Sequence, residues 1–258
     1  MNEQTTRGRL TVIGLGPGSP RQLTPEAHAA IEASSDLFGY GPYLDRIALL
    51  PGQTAHRSDN REELVRASAA LELAASGRQV AVVSGGDAGV FAMAAAVCEA
   101  IEAGPEPWRE LEVSVVPGVT AMLAVAATVG APLGHDFCAL SLSDNLKPWD
   151  MIEQRLRAAA SAGFVIALYN PVSRARPWQL DRAFTILRDV LPETVPVVFG
   201  RAAGRPDEKM TLTDLAGAEG ALADMATCVI IGSPETRTVA RNGLPPLVYS
   251  PRSAGRPT

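Results

Sequence analysis

Three short glycine-rich segments each follow an apolar run, at residues 14–18, 84–89 and 117–121. Glycine lets backbone amides and carbonyls approach a ligand without a Cβ in the way. In a parallel α/β sheet, ligands bind at the carboxyl ends of the strands, so three such loops would converge on one cleft. A tight turn explains any one loop equally well, but the three together predict a ligand site.

The first loop also invites a dinucleotide-binding interpretation, because its first two glycines fit the start of a Gly-x-Gly-x-x-Gly turn. The third glycine position is Ser19, however, and Pro17 removes a backbone donor inside the loop. Asp36 is placed before the next predicted strand, whereas a ribose-binding acid belongs at a strand's end. A nicotinamide cofactor is therefore disfavoured. A P-loop is excluded because no Gly-Lys-Ser or Gly-Lys-Thr follows a glycine loop.

Length and composition are those of an ordinary packed protein. The 258 residues are 47% apolar and 20% charged, which fits one large domain or two of about 100–150 residues. A net charge of −5 argues against nucleic-acid binding, which relies on a basic surface. No apolar run approaches the roughly 20 residues of a membrane span, and residues 1–9 lack the apolar stretch of a secretory signal. We expect a cytoplasmic protein.

Metal and nucleophile chemistry find no support in the residue pattern. Cys98, Cys138 and Cys228 are widely spaced in apolar surroundings, so we interpret them as small buried apolar residues in a reducing compartment. The three histidines show no ligand spacing, and no Gly-x-Ser-x-Gly elbow occurs. Neither a metal ion nor a serine hydrolase is predicted.

Apolar runs of strand length alternate with helical segments, which predicts an α/β fold with mainly parallel sheets covered on both faces. Thr24 and Asn60 are placed as helix N-caps. Strands are predicted at residues 10–13, 37–39, 79–83, 111–116, 137–142, 164–168, 195–199, 210–212 and 228–231. We place an N-terminal α/β domain at 1–117, a C-terminal α/β domain at 118–252 and a disordered tail at 253–258.

In order and spacing, the three glycine loops resemble the cofactor-binding segments of the tetrapyrrole methylases, also called class III methyltransferases. The resemblance covers nearly the whole chain, residues 12–251. Two further stretches resemble the precorrin-3B C-17 methyltransferases within that family. The first is Leu-Ser-Leu-Ser-Asp at 140–144 with a following Pro-Trp, and the second is Tyr-Asn-Pro-Val-Ser-Arg at 169–174 with a following Trp-Gln-Leu.

This resemblance implies two αβα domains with mainly parallel or mixed sheets and a cofactor cleft between them. It implies S-adenosylmethionine as cofactor, S-adenosylhomocysteine as product, no metal, a tetrapyrrole substrate and a homodimer. The implied reaction is methylation of precorrin-3B at C-17 with ring contraction to precorrin-4. Methylases acting at C-20, C-11 or C-1, uroporphyrinogen III methylase, diphthine synthase, a cobalt-containing substrate and a non-catalytic binding protein stay open as alternatives.

By the same resemblance, cofactor contacts are carried over from the glycine loops and from two strand ends of the second domain. They are Pro17, Gly85, Gly86, Asp87, Val90, Thr120, Ala121, Tyr169, Asn170, Arg201 and Ala202. The candidates for acid–base work during ring contraction are Asp87, Tyr40, Ser143 and Asp144. The candidates for binding the substrate and its carboxylates are Tyr43, Arg174 and Arg176, with Arg201 as a further carboxylate partner.

Several of these candidates have a structural alternative of similar weight. Tyr40 and Tyr43 could pack under a loop, and Asp87 could cap the helix that follows it. The basic cluster of Arg174, Arg176, Arg182, Arg201 and Arg205 could be a solvated face rather than a pocket.

Overall fold

The computed structural model describes residues 8–59 and 62–253. The chain divides into two compact units, Met1–Thr120 and Ala121–Thr258. The predicted boundary between residues 117 and 118 lies in the loop that joins them. The predicted N-cap Asn60 and residues 254–258 of the predicted tail lie outside the described residues.

The described residues of the first unit form five strands and four helices. The strands are β1 (Arg9–Gly14), β2 (Asp36–Tyr40), β3 (Thr54–Ser58), β4 (Gln79–Ser84) and β5 (Glu112–Val116). The helices are α1 (Pro25–Ala33), α2 (Gly41–Leu44), α3 (Glu63–Ala75) and α4 (Met93–Ala103). Single 3₁₀ turns at Pro20–Gln22 and Glu106–Glu110 complete it.

All five strands run parallel in the order β3-β2-β4-β1-β5. Successive residues of the central strands enter opposite cores, as the pleat requires. Val80 and Val82 belong to the core under α3 and α4, whereas Ala81 and Val83 belong to the core under α1 and α2. The sheet is therefore buried on both faces, as predicted for this half of the chain.

Local sequence signals set several of these boundaries. The Thr24 hydroxyl accepts a hydrogen bond from the Ala27 amide at 3.1 Å, and Pro25 occupies the first position of α1. Gly77 ends the α3 segment with a φ of +95°, a conformation that glycine adopts without strain. The polar edge strand β3 was missed, because Thr-Ala-His-Arg-Ser lacks an apolar run. Asp36 is the first residue of β2 rather than a residue before it.

The second unit carries the remaining elements. Its helices are α5 (Ala121–Val129), α6 (Trp149–Ser161) and α7 (Gln179–Arg188), with a 3₁₀ turn at Gly220–Leu222. Its strands are β6 (Gly130–Ala131), β7 (Phe137–Ser141), β8 (Val165–Tyr169), β9 (Pro196–Arg201), β10 (Lys209–Asp214), β11 (Thr227–Ile231), β12 (Arg237–Arg241) and β13 (Leu244–Tyr249).

The main sheet of this unit has the order β10-β9-β11-β8-β7 and is mixed. β7 and β8 are parallel, while β11 is antiparallel to both β8 and β9, and β10 is antiparallel to β9. This mixed sheet corrects the mainly parallel sheet that the alternation of elements predicts for this half, and it agrees with the mainly parallel or mixed sheets that the family resemblance implies. The connections from β9 to β10 and from β10 to β11 contain no α-helix, and a parallel return needs a long crossover.

A separate three-stranded sheet joins β12, β13 and β6. β12 and β13 form a hairpin around Asn242 and Gly243, with Arg241 paired to Leu244 and a φ of +70° at Gly243. Asn-Gly between apolar residues is a strong hairpin signal, and the hairpin could have been predicted from it.

The three cysteines differ in burial, so the prediction that all three are buried is wrong. Cys228 is buried, and burial raises the pKa of its thiol to about 12. Cys138 is half-buried and Cys98 is exposed on α4. Among the described residues, no helix is long and apolar enough to cross a membrane.

Candidate functional site

In the first unit, two of the glycine loops pair with each other at the carboxyl edge of the parallel sheet. The amide of Gly16 donates to the Gly86 carbonyl at 3.0 Å, and the amide of Gly86 donates to the Gly16 carbonyl at 2.9 Å. Both glycines have positive φ, +68° and +70°. The reciprocal bonds hold the loops after β1 and β4 side by side.

The third loop lies against the first two, and this contact explains two of the glycines. A Cβ on Gly14 would lie 2.7 Å from the Gly118 nitrogen and 2.8 Å from the Gly86 oxygen. A Cβ on Gly118 would collide with the backbone of both Gly86 and Gly14. Glycine is therefore needed here for loop-on-loop packing, in addition to any approach by a ligand.

Asp87 fastens the second loop to the third. Its Oδ1 accepts from the Gly89 amide at 2.8 Å, and its Oδ2 accepts from the Gly118 amide at 3.0 Å. The interpretation of Asp87 as a helix cap is wrong, because α4 begins at Met93 and its N-cap position is Ala92. A carboxylate bound to two backbone amides is well suited to shaping a loop.

Tyr40 ends β2 and Tyr43 lies in α2, at the same edge as the loops. Their rings meet edge to face with centroids 5.5 Å apart. A Cβ on Gly85 would lie 2.7 Å from the Tyr43 ring, so that ring rests directly on the second loop. The packing interpretation thus holds for Tyr43, which forms a wall of the loop cluster.

Sequence reasoning missed two arginines at this edge of the unit, and one of them, Arg46, supports the loop cluster. Arg46 donates through Nη2 to the carbonyls of Leu15 and Gly16 at 2.7 and 3.0 Å. Arg66 is 4% exposed and donates from Nε to the Ser58 hydroxyl at 2.7 Å. Burial lowers the pKa of Arg66. No sequence pattern links Arg46 to loop carbonyls 30 and 31 residues away, so its contacts carried no signal in the sequence.

The other predicted cofactor residues of this unit lie in the same three loops. Pro17 is in the loop after β1, half-buried Val90 is in the loop after β4, and buried Thr120 is at the end of the loop after β5. The structure therefore brings together the predicted residues of the first unit at one sheet edge.

In the second unit, predicted residues collect at the ends of strands that share one direction. β7 and β8 are parallel, and β9 runs the same way because β11 is antiparallel to both β8 and β9. The residues at this edge are Ser143, Asp144, Tyr169, Asn170, Arg201 and Ala202. Carboxyl ends of parallel strands are the usual place for a ligand in such sheets.

One side-chain and one backbone hydrogen bond join the carboxyl ends of β7 and β8. The Ser141 hydroxyl accepts from the Asn170 side-chain amide at 3.0 Å, and the Leu142 amide donates to the Tyr169 carbonyl at 2.9 Å. Asn170 has a φ of +51°. The Tyr169 hydroxyl accepts from the Met122 amide at 3.0 Å, in the first turn of α5 next to Ala121.

A third link involves a residue that was not among the predicted ones. Gln179 is 1% exposed at the start of α7, and its Nε2 donates to Oδ2 of half-buried Asp144 at 3.1 Å. The Gln179 Oε1 is buried and accepts no hydrogen bond from any described residue. Leaving a buried carbonyl unsatisfied costs about 1–3 kcal/mol.

Two of the five arginines in the basic cluster form ion pairs with acidic side chains. Arg201 donates to Asp224 at 2.7 Å and to Asp207 at 2.8 Å, and these hydrogen bonds raise its pKa. Arg182 pairs with Glu153 at 2.8 Å, and this hydrogen bond lowers the pKa of Glu153. These two acidic partners disfavour Arg201 as a partner for substrate carboxylates.

The two remaining predicted arginines differ from each other. Arg176 donates from Nη1 to the Asn170 carbonyl at 3.0 Å, which braces its own loop. Arg174 is exposed in the same loop. Arg174 is consequently the better placed of the two to meet an external carboxylate.

Comparisons with known proteins confirm the predicted family. The model of the family described as Tetrapyrrole (Corrin/Porphyrin) Methylases matches residues 9–219. The chain is 65% identical to a precorrin-3B C(17)-methyltransferase of Sinorhizobium sp, over 95% of this chain and 96% of that protein.

Solved structures confirm the α/β fold class. The crystal structure of the methyltransferase CobJ matches with a TM-score of 0.91 at 50% identity, covering 95% of this chain and 100% of that one. A uroporphyrin-III C-methyl transferase from Thermus thermophilus, complexed with S-adenosyl homocysteine, matches with a TM-score of 0.65 at 21% identity. That match covers 87% of this chain and 97% of the other, and it shows a shared fold.

Proposed function

Because the chain belongs to the tetrapyrrole methylase family, we propose that it transfers a methyl group from S-adenosylmethionine to C-17 of precorrin-3B. The reaction is a step of cobalamin biosynthesis, and we propose that ring contraction to precorrin-4 accompanies it. The near full-length identity to the Sinorhizobium enzyme is the observation that carries this proposal.

The loop cluster of the first unit fits a cofactor held mainly by backbone. Its three loops are fastened to one another by the Gly16–Gly86 bonds and by Asp87, so their outward-facing backbone groups keep fixed positions. The bound S-adenosylhomocysteine of the Thermus relative supports this cofactor class. The proposed cofactor contacts are Pro17, Gly85, Gly86, Asp87, Val90, Thr120, Ala121, Tyr169, Asn170, Arg201 and Ala202.

S-adenosylmethionine supplies a sulfonium methyl, which is already a good electrophile. The residues of the chain then need mainly to hold the acceptor carbon in line with it, and orientation supplies about 7–11 kcal/mol of a barrier. This division of labour requires no serine or cysteine nucleophile. Asp87 serves in this proposal as a clamp between loops, since each of its carboxylate oxygens accepts from a backbone amide.

Acceptor binding is proposed for Tyr43 and Arg174. Arg174 offers an exposed guanidinium, whose fork of donors matches the carboxylates of a tetrapyrrole. Arg176 would support that loop from within through its bond to Asn170. We further propose Tyr40, Ser143 and Asp144 as the groups to test for proton movement during ring contraction.

The decisive experiment is incubation of the purified protein with precorrin-3B and S-adenosylmethionine labelled in its methyl group. We expect S-adenosylhomocysteine and a tetrapyrrole one methyl heavier, with the label at C-17 by NMR. A label at another carbon would overturn the C-17 assignment and leave the family assignment standing. Turnover of cobalt-factor III in preference to precorrin-3B would identify a cobalt-containing acceptor.

Two further properties belong to the same proposal. We propose a homodimer, as the family resemblance implies, and a cytoplasmic location. Light scattering on a gel-filtration column tests the first, with a mass near twice 27.1 kDa as the expected result. A monomer mass at micromolar concentration would refute it.

A further inference from the structure

We propose that Gln179 is a positioning residue for the Asp144 carboxylate, and that Asp144 accepts a hydrogen bond from an N–H or O–H group of the acceptor tetrapyrrole. The inference rests on the proposed function, because it assigns these residues to the acceptor of that reaction.

The location of Asp144 supports a role in ligand binding. It follows β7, whose carboxyl end lies beside that of β8, and β7 and β8 are the parallel pair of the mixed sheet. The loops after both strands are joined by the Ser141–Asn170 and Leu142–Tyr169 hydrogen bonds. Asp144 therefore sits on a braced loop at the ligand edge of the second unit.

The hydrogen bonds of Asp144 leave one oxygen available. Its Oδ2 accepts from the Gln179 amide at 3.1 Å, while Oδ1 accepts no hydrogen bond from any residue that the structure describes. Asp87 contrasts with it, since both of its oxygens are occupied by backbone amides. Of these two candidate carboxylates, Asp144 is the one with an oxygen free to meet a substrate donor.

The burial of Gln179 lowers the stability of the fold, because its Oε1 has no donor, but it fixes the position of the amide that bonds Asp144. Gln179 is 1% exposed, and its amide group is buried to give a single hydrogen bond while Oε1 stays unsatisfied. An apolar side chain of similar size would remove the unsatisfied Oε1, and water could replace the lost hydrogen bond at half-buried Asp144. A buried amide that lowers stability and points at one carboxylate is understandable as a device for orienting that carboxylate.

Neighbouring side chains suit a flat, acidic ligand. Trp178, which precedes Gln179, is 46% exposed and meets the Trp149 ring edge to face with centroids 4.8 Å apart. Exposed Arg174 lies in the loop that leads into α7. The segment that leads into Gln179 thus carries an exposed aromatic ring and an exposed cation, and with the Asp144 carboxylate these offer the contacts that a polycarboxylate macrocycle with N–H groups can use.

The test is a double-mutant cycle with Gln179→Met, Asp144→Asn and the combination, measured with precorrin-3B. We expect Gln179→Met to raise KM for the tetrapyrrole or lower kcat by about tenfold, with the Kd of S-adenosylhomocysteine within twofold of wild type. In the Asp144→Asn background the same substitution should add little further loss. The melting temperature of Gln179→Met should stay close to that of wild type, because the loss of the Asp144 hydrogen bond and the removal of the unsatisfied Oε1 oppose each other. A purely structural role predicts a clear fall instead.

Gln53→Met is the matched control. Gln53 donates through Nε2 to the carbonyls of Ile31 and Ser34, so its loss should lower the melting temperature and leave turnover unchanged. Wild-type kinetics in Gln179→Met or Asp144→Asn would overturn the inference, as would an equal loss in both backgrounds or an equal loss of cofactor affinity. Absence of methyl transfer by the wild-type protein would instead refute the proposed function, and this inference with it.

Discussion

Replacing Asp87 by asparagine tests whether the hydrogen bonds that hold the loops together determine how tightly the loop cluster binds the cofactor. The carboxylate accepts from Gly89 at 2.8 Å and from Gly118 at 3.0 Å. Asparagine has nearly the same volume but a single acceptor oxygen, so one glycine amide would face an NH₂ group. The variant therefore removes one loop contact without leaving a cavity.

The size of the effect follows from that single bond. A hydrogen bond to a charged group contributes about 1.5–3 kcal/mol, and the lower end applies because Asp87 is half-buried. If the second and third loops together bind the cofactor, part of the binding free energy, about 1.5 kcal/mol, must be spent on restoring the arrangement that the lost hydrogen bond stabilised. Since each 1.4 kcal/mol is a factor of ten, the Kd of S-adenosylhomocysteine should rise about tenfold.

Isothermal titration calorimetry with S-adenosylhomocysteine measures this directly, and thermal unfolding of the free variant reports the loss of stability. Asp214→Asn is the matched control. Asp214 also accepts from a glycine amide, that of Gly217 at 2.9 Å, but it lies at the exposed end of β10. We expect unchanged cofactor affinity in the control.

One result would refute the reasoning about Asp87. If Asp87→Asn bound S-adenosylhomocysteine as tightly as wild type while its melting temperature fell, the Gly118 contact would stabilise the fold without shaping the cofactor site. An equally large loss of affinity in the Asp214 variant would show instead that a general loss of stability lowers the affinity, whichever contact is removed.

Three other predictions concern stability and acceptor binding. Burial raises the pKa of Asp36, but hydrogen bonds from His56, Ser35 and Arg78 outweigh burial and hold the pKa below its ordinary value. These bonds therefore stabilise the fold at neutral pH, and their contribution is lost as pH falls through the lowered pKa. Asp36→Asn should be less stable than wild type by about 1–3 kcal/mol at pH 7, with the gap closing below about pH 4 in urea titrations; a constant gap would contradict this. Gly118→Ala should lower stability by about 1–3 kcal/mol or more, because the added methyl meets backbone, and wild-type stability would show that the loops can part. Arg174→Ala should weaken tetrapyrrole binding in fluorescence titrations and spare S-adenosylhomocysteine, and unchanged tetrapyrrole affinity would remove Arg174 from the site.

Local signals in the sequence determined the elements and the positions of the loops. The Thr24 cap and the apolar runs before the glycine loops act over a few residues, and each occurs in the structure where it was predicted. The glycine after α3 is a local signal of the same kind. The order of the loops along the chain was enough for the family resemblance. The Asn-Gly pair between β12 and β13 is an equally local signal and is sufficient to predict that hairpin.

The tertiary structure decided which side chains are available for chemistry. Asp87 is occupied by an amide 31 residues away, and Asp144 is held by an amide 35 residues away. Arg201, an apparent cation for substrate, is neutralised by Asp207 and Asp224. Strand direction in the second sheet also depended on the connections from β9 to β10 and from β10 to β11, which contain no α-helix. Such pairings join groups distant in sequence through hydrogen bonds a few ångströms long, and composition and periodicity record only what is near along the chain.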